Sequence, residues 1–562
     1  MKIIKRVKKL SFRDQLWNYP EKLLLFYRET KPLSYILFSL LISVISFLTL
    51  IQGNVLASFK QAEDTIYVEG VVGTITTLNP IYLNQNQVDR DLYELIYDKL
   101  IYFDKNGTPQ PGIIQEWAVD PDLKHYVFRI ADDRYWHDGT KITTDDIIFT
   151  VKKAQSLLQT NAPETIGSQL SNAVFTKLDE SRFSVDIDES SAVLLEALSI
   201  YPLPQHVLSE VKDSNYYQYG SLVPPVGSGP YKVVSVRPTV VKLEAFNDYP
   251  TQPKVKNFEY RVYPDLESLT VAFKNNQLDA ISNLEGRELG FIKEYPQYSL
   301  NAALLKHRRK VIFMNVAKES LKDFRLRGAI SMLIDKEELL NRNVIDGNPV
   351  FSSISSDSWA YDEKVDYYPY NPKQATDFLT DLGYKQEAEK WVDSSGKQLS
   401  FTLTYLENDL NEGVGRYLRE KLAKGGIELK LKPVQYIELT QEVMATRNFD
   451  MLLFEIETSI DPDQYNLWHS SKANYPDLNI SGYNYRRVDV ILEDARTQKS
   501  RTTRLEQYQQ FQKYIAVDCP VIFLYEPTFN IVTKENVKGV DLSNINFPSD
   551  RFRTVYNYSL NK

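Results

Sequence analysis

The sequence predicts a mixed α/β body preceded by one membrane-spanning helix, and three observations predict it. The first is the run Leu33 to Ile51, which contains no charged residue and would span about 28 Å as a helix, close to the hydrocarbon thickness of a bilayer. The second is the alternation, from Glu63 onward, of short β-branched and aromatic runs with segments of helical periodicity. The third is the absence of solenoid-period repeats and low-complexity linkers, which makes the remainder one compact body.

Lys2, Lys5, Arg6, Lys8, Lys9 and Arg13, followed by Lys22, Arg28 and Lys31, precede the apolar run. The positive-inside rule places this segment, residues 1–32, in the cytoplasm, 33–52 in the membrane, and everything after about residue 55 outside. Val55-Leu56-Ala57 offers a small-residue cleavage site. The long basic region and the length of the apolar run favour an uncleaved anchor over a signal peptide. No cysteine follows the run, so it is not a lipoprotein signal.

The elements follow in order. Thr65 to Val72 reads as a strand and Asn79-Pro80 breaks it. Val88, Leu92, Leu95, Ile96 and Leu100 fall at helical spacing, which predicts a helix over 88–100. His125 to Ile130 reads as a strand, and Asp138-Gly139 as a turn. Thr143 caps the next helix, with Asp146 in the position of a capping box. A further helix starts at Asn371-Pro372 and stops at Leu382-Gly383; another runs from Val414 to Leu422 with Gly425-Gly426 behind it. Ile427 to Lys432 alternates as a half-buried strand.

Composition excludes several functions. The 562-residue chain carries a formal charge of −8, whereas a general nucleic-acid binder needs a basic face. Cys519 is the single cysteine; it rules out an intramolecular disulfide and a thiolate cluster and reads as a small buried residue in a strand. His125, His137, His206, His307 and His469 are not at metal-ligand spacing. No G-x-S-x-G or H-E-x-x-H is present, and Asp132-Asp133 and Asp145-Asp146 read as a turn and a helix start. No catalytic residue, metal or cofactor is expected.

The punctuation then falls into a known order. Trp136-His-Asp-Gly with the capped helix behind it, Gly227-Ser-Gly-Pro-Tyr, Phe246-Asn-Asp-Tyr and Phe273-Lys-Asn-Asn-Gln-Leu-Asp come first. Asn315, the Phe324-Arg-Leu-Arg-Gly-Ala segment, Tyr370-Asn-Pro-Lys-Gln-Ala and Leu382-Gly-Tyr come next. Phe449-Asp450, Asp461-Pro462, Gly482-Tyr483, Val488-Asp489, Ala495-Arg496 and Pro520-Val-Ile-Phe-Leu-Tyr close the series. From about residue 64 onward the chain resembles the extracytoplasmic solute-binding proteins of family 5, the oligopeptide and dipeptide binders of ABC importers.

The resemblance implies a two-lobed, periplasmic-binding-protein-like α/β fold of type II, in the large three-subdomain class. Lobe I would cover 64–305 with an extra subdomain at about 82–199, lobe II 306–520, and 521–562 would return to lobe I. It implies capture of a peptide or peptide-like ligand by hinge closure, delivery to ABC permease subunits, and a monomer on the outer face of the membrane. Where oligopeptide binders carry an aspartate for the ligand's α-amino group, this chain has Thr458, with Glu457 and Asp461 as substitutes. Asn84, Gln85 and Asn86 would face the ligand from lobe I, and Trp468, Asn479, Gly482 and Tyr483 from lobe II. The missing aspartate leaves open a blocked or sugar-linked peptide, an oligosaccharide or a metal chelate, and a sensory role. Trp136 reads as packing, Gly227 and Gly229 as a tight crossing between lobes, and Arg325 and Arg327 as solvated or ion-paired.

Overall fold

The computed structural model describes residues 66–561 except 83–85, 160–164, 189–190, 192, 221–223, 285, 296 and 366. The apolar run Leu33–Ile51 lies outside these residues. Among the described residues no helix is long and apolar enough to cross a membrane.

The strands are, in chain order, β1 (Ile66–Val72), a hairpin of β2 (Ile101–Phe103) and β3 (Pro109–Pro111), and β4 (Ile114–Val119), β5 (His125–Ile130), β6 (Ala173–Lys177) and β7 (Arg182–Ile187). Next come β8 (Tyr231–Arg237), β9 (Val240–Ala245), β10 (Asn257–Tyr263), β11 (Ala280–Ser282), β12 (Tyr298–Leu304), β13 (Arg308–Met314) and β14 (Gly347–Pro349). A small hairpin of β15 (Lys385–Glu387) and β16 (Lys390–Val392) precedes β17 (Ser400–Leu406), β18 (Glu428–Val434), β19 (Met451–Glu457) and the long β20 (Val521–Lys534).

One sheet threads both lobes, in the order β18-β17-β19-β13-β20-β11-β1-β10-β9-β8, with β12 and β14 also on β20. A separate four-stranded sheet has the order β4-β5-β7-β6. Along β20 the partners change: Val521 to Tyr525 pair with β13, and Thr528 to Lys534 with β12 and β11. Two passages of the chain, residues 305–307 between β12 and β13 and the middle of β20, therefore connect the two halves of this sheet.

The second lobe is buried on both sheet faces. Period-two alternation sends Ile312 and Met314 of β13 into one core and Val311 and Phe313 into the other. Strands β17 and β18 pair in parallel, as do β17 and β19, which suits a sheet covered by helices on both sides.

Local signals set most boundaries. Asn86 caps the helix Gln87–Ile96 by accepting from the Val88 N–H. That helix stops short of Leu100, whose N–H goes instead to the Ile200 carbonyl. Thr143 and Asp146 form a capping box. Asn371 caps the helix Pro372–Asp381, and Gly383 behind it has φ +86°. The predicted Val414–Leu422 helix is longer, Asp409–Lys424, because Asn408 supplies a cap upstream.

Three expectations need correction. Cys519 is buried but lies in no strand; it holds the left-handed position, φ 44°, that ends the helix Arg501–Asp518. Gly227 and Gly229 do not cross between lobes. They bring the backbone onto the end of the Gln87–Ile96 helix, where the Ser228 and Gly229 N–H groups donate to the Ile96 carbonyl. Arg325 pairs with Asp323 as expected, but Arg327 is buried and donates to the carbonyls of Leu321, Lys322, Asp518 and Cys519. Trp136 is fully buried in the first core, a packing residue.

Candidate functional site

A cavity of about 180 Å³ opens where the chain first passes between lobes. Lys105, Asn106 and Gly107 line it from the β2–β3 turn, and Leu542, Ser543, Ile545 and Asn546 from the C-terminal segment. The passage itself contributes Leu304, Lys306 and His307. The second lobe adds Ser355, Asp357, Ser358, Trp359 and Ile460.

The passage is fastened by Arg309, which is fully buried. Its guanidinium donates to the Lys306 carbonyl at 2.8 Å and to Thr458 Oγ1 at 3.0 Å, and pairs with Glu526 of β20 at 3.1 Å. One side chain thus holds both passages together. Burial pushes the Glu526 carboxyl up from its ordinary value, with Arg309 and Lys306 opposing. Burial and the neighbouring Arg309 charge push His307 down to about 4, so the imidazole is neutral at pH 7.

Two polar bridges join the lobes beside the cavity. Arg90, on the Gln87–Ile96 helix, makes a bidentate pair with Glu457 at the end of β19, at 2.9 and 2.6 Å. Arg308 adds a longer bond to the same carboxylate, 3.4 Å. Burial raises the Glu457 pKa, but the charges and hydrogen bonds of Arg90 and Arg308 outweigh it and hold the carboxyl below its ordinary value. The second bridge is Glu196, whose two oxygens accept the backbone N–H groups of Ile460 and Asp461 at 2.8 and 2.9 Å. Burial, with the Asp461 charge next, pushes Glu196 up to about 8.

The expected ligand-facing residues sit mostly elsewhere. Asn84 and Gln85 lie outside the described residues. Asn86 is a helix cap, and its amide donates to the Thr74 carbonyl. Of the three candidate anchors, Glu457 does lie between the lobes, already paired with Arg90. Thr458 is buried behind the passage, receiving from Arg309. Asp461 pairs with Arg504 at 2.7 Å inside the second lobe. Trp468 is fully buried against Phe313 and Tyr483 and donates to Gln464. Asn479 is spent on the His469 and Tyr483 backbone. Gly482, with φ +68°, makes the turn beside it, and the Tyr483 hydroxyl goes to Asp518. These four build the second lobe and do not line the cavity.

Sequence reasoning missed Arg90, Lys105, Glu196, Lys306 and Trp359. One signal was available: His307-Arg308-Arg309-Lys310 sets four basic residues at the start of an otherwise apolar strand, and charge at such a place marks burial against a partner.

Comparison with known proteins fixes the class. The family model described as bacterial extracellular solute-binding proteins, family 5 Middle, matches residues 108–477. The chain belongs to that family. It is 26% identical over 495 residues to the oligopeptide-binding protein AppA of Bacillus subtilis (strain 168), covering 84% of this chain and 88% of that one. The structure of B. subtilis AppA in complex with a nonapeptide superposes with a TM-score of 0.73 at 24% identity, over 88% of this chain and 99% of that one. The fold is shared equally with NikZ of Campylobacter jejuni in complex with Ni(L-His): TM-score 0.74, 22% identity, 88% and 99% coverage.

Proposed function

We propose that this protein captures an oligopeptide or peptide-like solute between its lobes, outside the membrane, and hands it to the permease subunits of an ABC importer. The lobes divide at residues 305–306 and along β20, and the segment Leu33–Ile51 tethers the body to the membrane as a single N-in helix. The observation that carries the reading is the cavity at the passage between lobes, bridged by Arg90–Glu457 and Glu196. One bridge joins two side chains and the other a side chain to backbone N–H groups; both break when the lobes part, so the site opens and closes by hinge motion. The body works as a monomeric receptor and catalyses no reaction.

The test is thermal unfolding of the full chain in detergent with pooled tri- to nonapeptides. A ligand that binds only the folded state adds RT ln(1 + [L]/Kd), about 2.7 kcal/mol at a hundred times Kd. A raised Tm with peptides and none with oligosaccharides or metal chelates is the expected result. The reverse pattern would replace the peptide with a non-peptide solute.

A further inference from the structure

The cavity's charges are unequal, and the inequality names an end of the solute; this step rests on the solute-binding reading above. Lys105 and Lys306 both line the cavity, whereas Asp357, the single carboxylate in the lining, is already paired with Lys306. No carboxylate among the described residues pairs with Lys105. Its neighbour Asp104 turns back into the hairpin, accepting the N–H groups of Asn106 and Thr108. The two ammonium groups act on each other: burial lowers the Lys306 pKa, Glu526 opposes, and Lys105 lowers it further. Trp359, also in the lining, has the guanidiniums of Arg501 and Arg504 over its ring at 4.8 and 5.4 Å; Arg504 is paired with Asp461, so the added positive charge is that of Arg501.

The carboxylates around the cleft show the converse. Glu457 is held by Arg90 and Arg308, Asp461 by Arg504 and Glu526 by Arg309. Glu196 is occupied by two backbone N–H groups. Thr458, in the same segment, is neutral and buried against Arg309. Among the described residues around the cavity, a ligand ammonium meets no unpaired carboxylate, and a ligand carboxylate meets the ammonium of Lys105.

We infer that the cavity takes the anionic end of the solute, a carboxylate seated between Lys105 and Lys306 with Trp359 and Ile460 as the apolar wall beside it, so that a peptide is selected by its free C-terminus and not by its N-terminus. Charge-assisted hydrogen bonds from two ammonium groups supply the discrimination.

The experiment uses the full chain in detergent and titrates it with one peptide pool prepared in four end states: both ends free, N-acetylated, C-amidated, and both blocked. Gluconate, a sugar acid, is titrated alongside. N-acetylation is expected to leave the apparent Kd within twofold, and C-amidation to weaken binding tenfold or more. Lys105→Gln, at an exposed hairpin tip, is expected to weaken the free acids about tenfold and leave the amides unchanged. Acetylation abolishing binding, amidation having no effect, or free acids binding Lys105→Gln as tightly as the parent would each overturn the inference while the peptide reading stands. Binding of gluconate without any peptide would support the carboxylate anchor and overturn the peptide reading. No binding by any of these probes would overturn both.

Discussion

Arg551 carries a full charge inside the first lobe. It is completely buried and bonds to Glu69 of β1 and Asp91 of the Gln87–Ile96 helix, at 2.8 and 2.5 Å. Ser282 and the Pro548 carbonyl take further N–H groups. Such a cluster is stable only while every member is present, because removing one partner strands the others in a low-dielectric interior. Arg551→Met is expected to cost about 3–5 kcal/mol, read as the loss in urea midpoint at unchanged slope. Arg551→Lys, which keeps the charge but loses the planar fork, should fall between the two. The same reasoning separates Glu457 from Thr458, adjacent in sequence. One meets an arginine from the other lobe, and the other an arginine from its own passage.

At the scale of elements, the end of the Gln87–Ile96 helix is set by a close approach. A Cβ on Gly227 would stand 2.0 Å from the Ile96 carbonyl oxygen and one on Gly229 2.7 Å from the Ile96 carbonyl carbon. Gly227→Ala must therefore move backbone, and a loss of about 2–3 kcal/mol in unfolding free energy is expected. The shift should be accompanied by faster amide exchange at Ser228 and Gly229, whose N–H groups end on that carbonyl. This helix was half legible in the sequence. Its start rests on Asn86 and on apolar spacing, both local. Its end rests on residues more than a hundred positions away, which no local pattern announces. The capping box at Thr143 and Asp146 was legible for the same reason that its helix start was. The site was scarcely legible, because Arg90 and Glu457 stand 367 positions apart and only folding brings them together. Trp468, Asn479 and Tyr483 are buried for a related reason. Polar and aromatic residues in an ordered motif are as suited to satisfying buried backbone groups as to touching a solute.

Across the whole molecule, the proposed closure is expected to depend on pH through Glu196. When the lobes part, its carboxyl returns to water and to an ordinary value near 4.5; closed, burial and the Asp461 and Asp463 charges hold it at about 8, against the two N–H groups that favour ionisation. The closed form therefore binds the proton more tightly. Closure should strengthen as pH falls from 8 toward 4.5, by up to about 1.4 kcal/mol per unit, and stay level below that window. Arg504, which neutralises Asp461, moderates the effect. Fluorescence energy transfer between dyes on the two lobes reads the balance directly. Glu196→Gln should flatten the profile between pH 4.5 and 8, and an unchanged profile would assign the dependence to another group.

The long strand β20 has a consequence for the order in which the protein can be made. Its first residues complete the sheet of the second lobe against β13, and its last residues complete the first lobe against β11 and β12. During synthesis from the N-terminus, neither lobe can close its sheet until this late segment has emerged, and until then β11 and β13 wait with unpaired edges. Nearly the whole chain must be across the membrane before either half is finished, so the two lobes mature together and not one after the other. A chaperone outside the membrane that shields exposed strand edges would act over that interval.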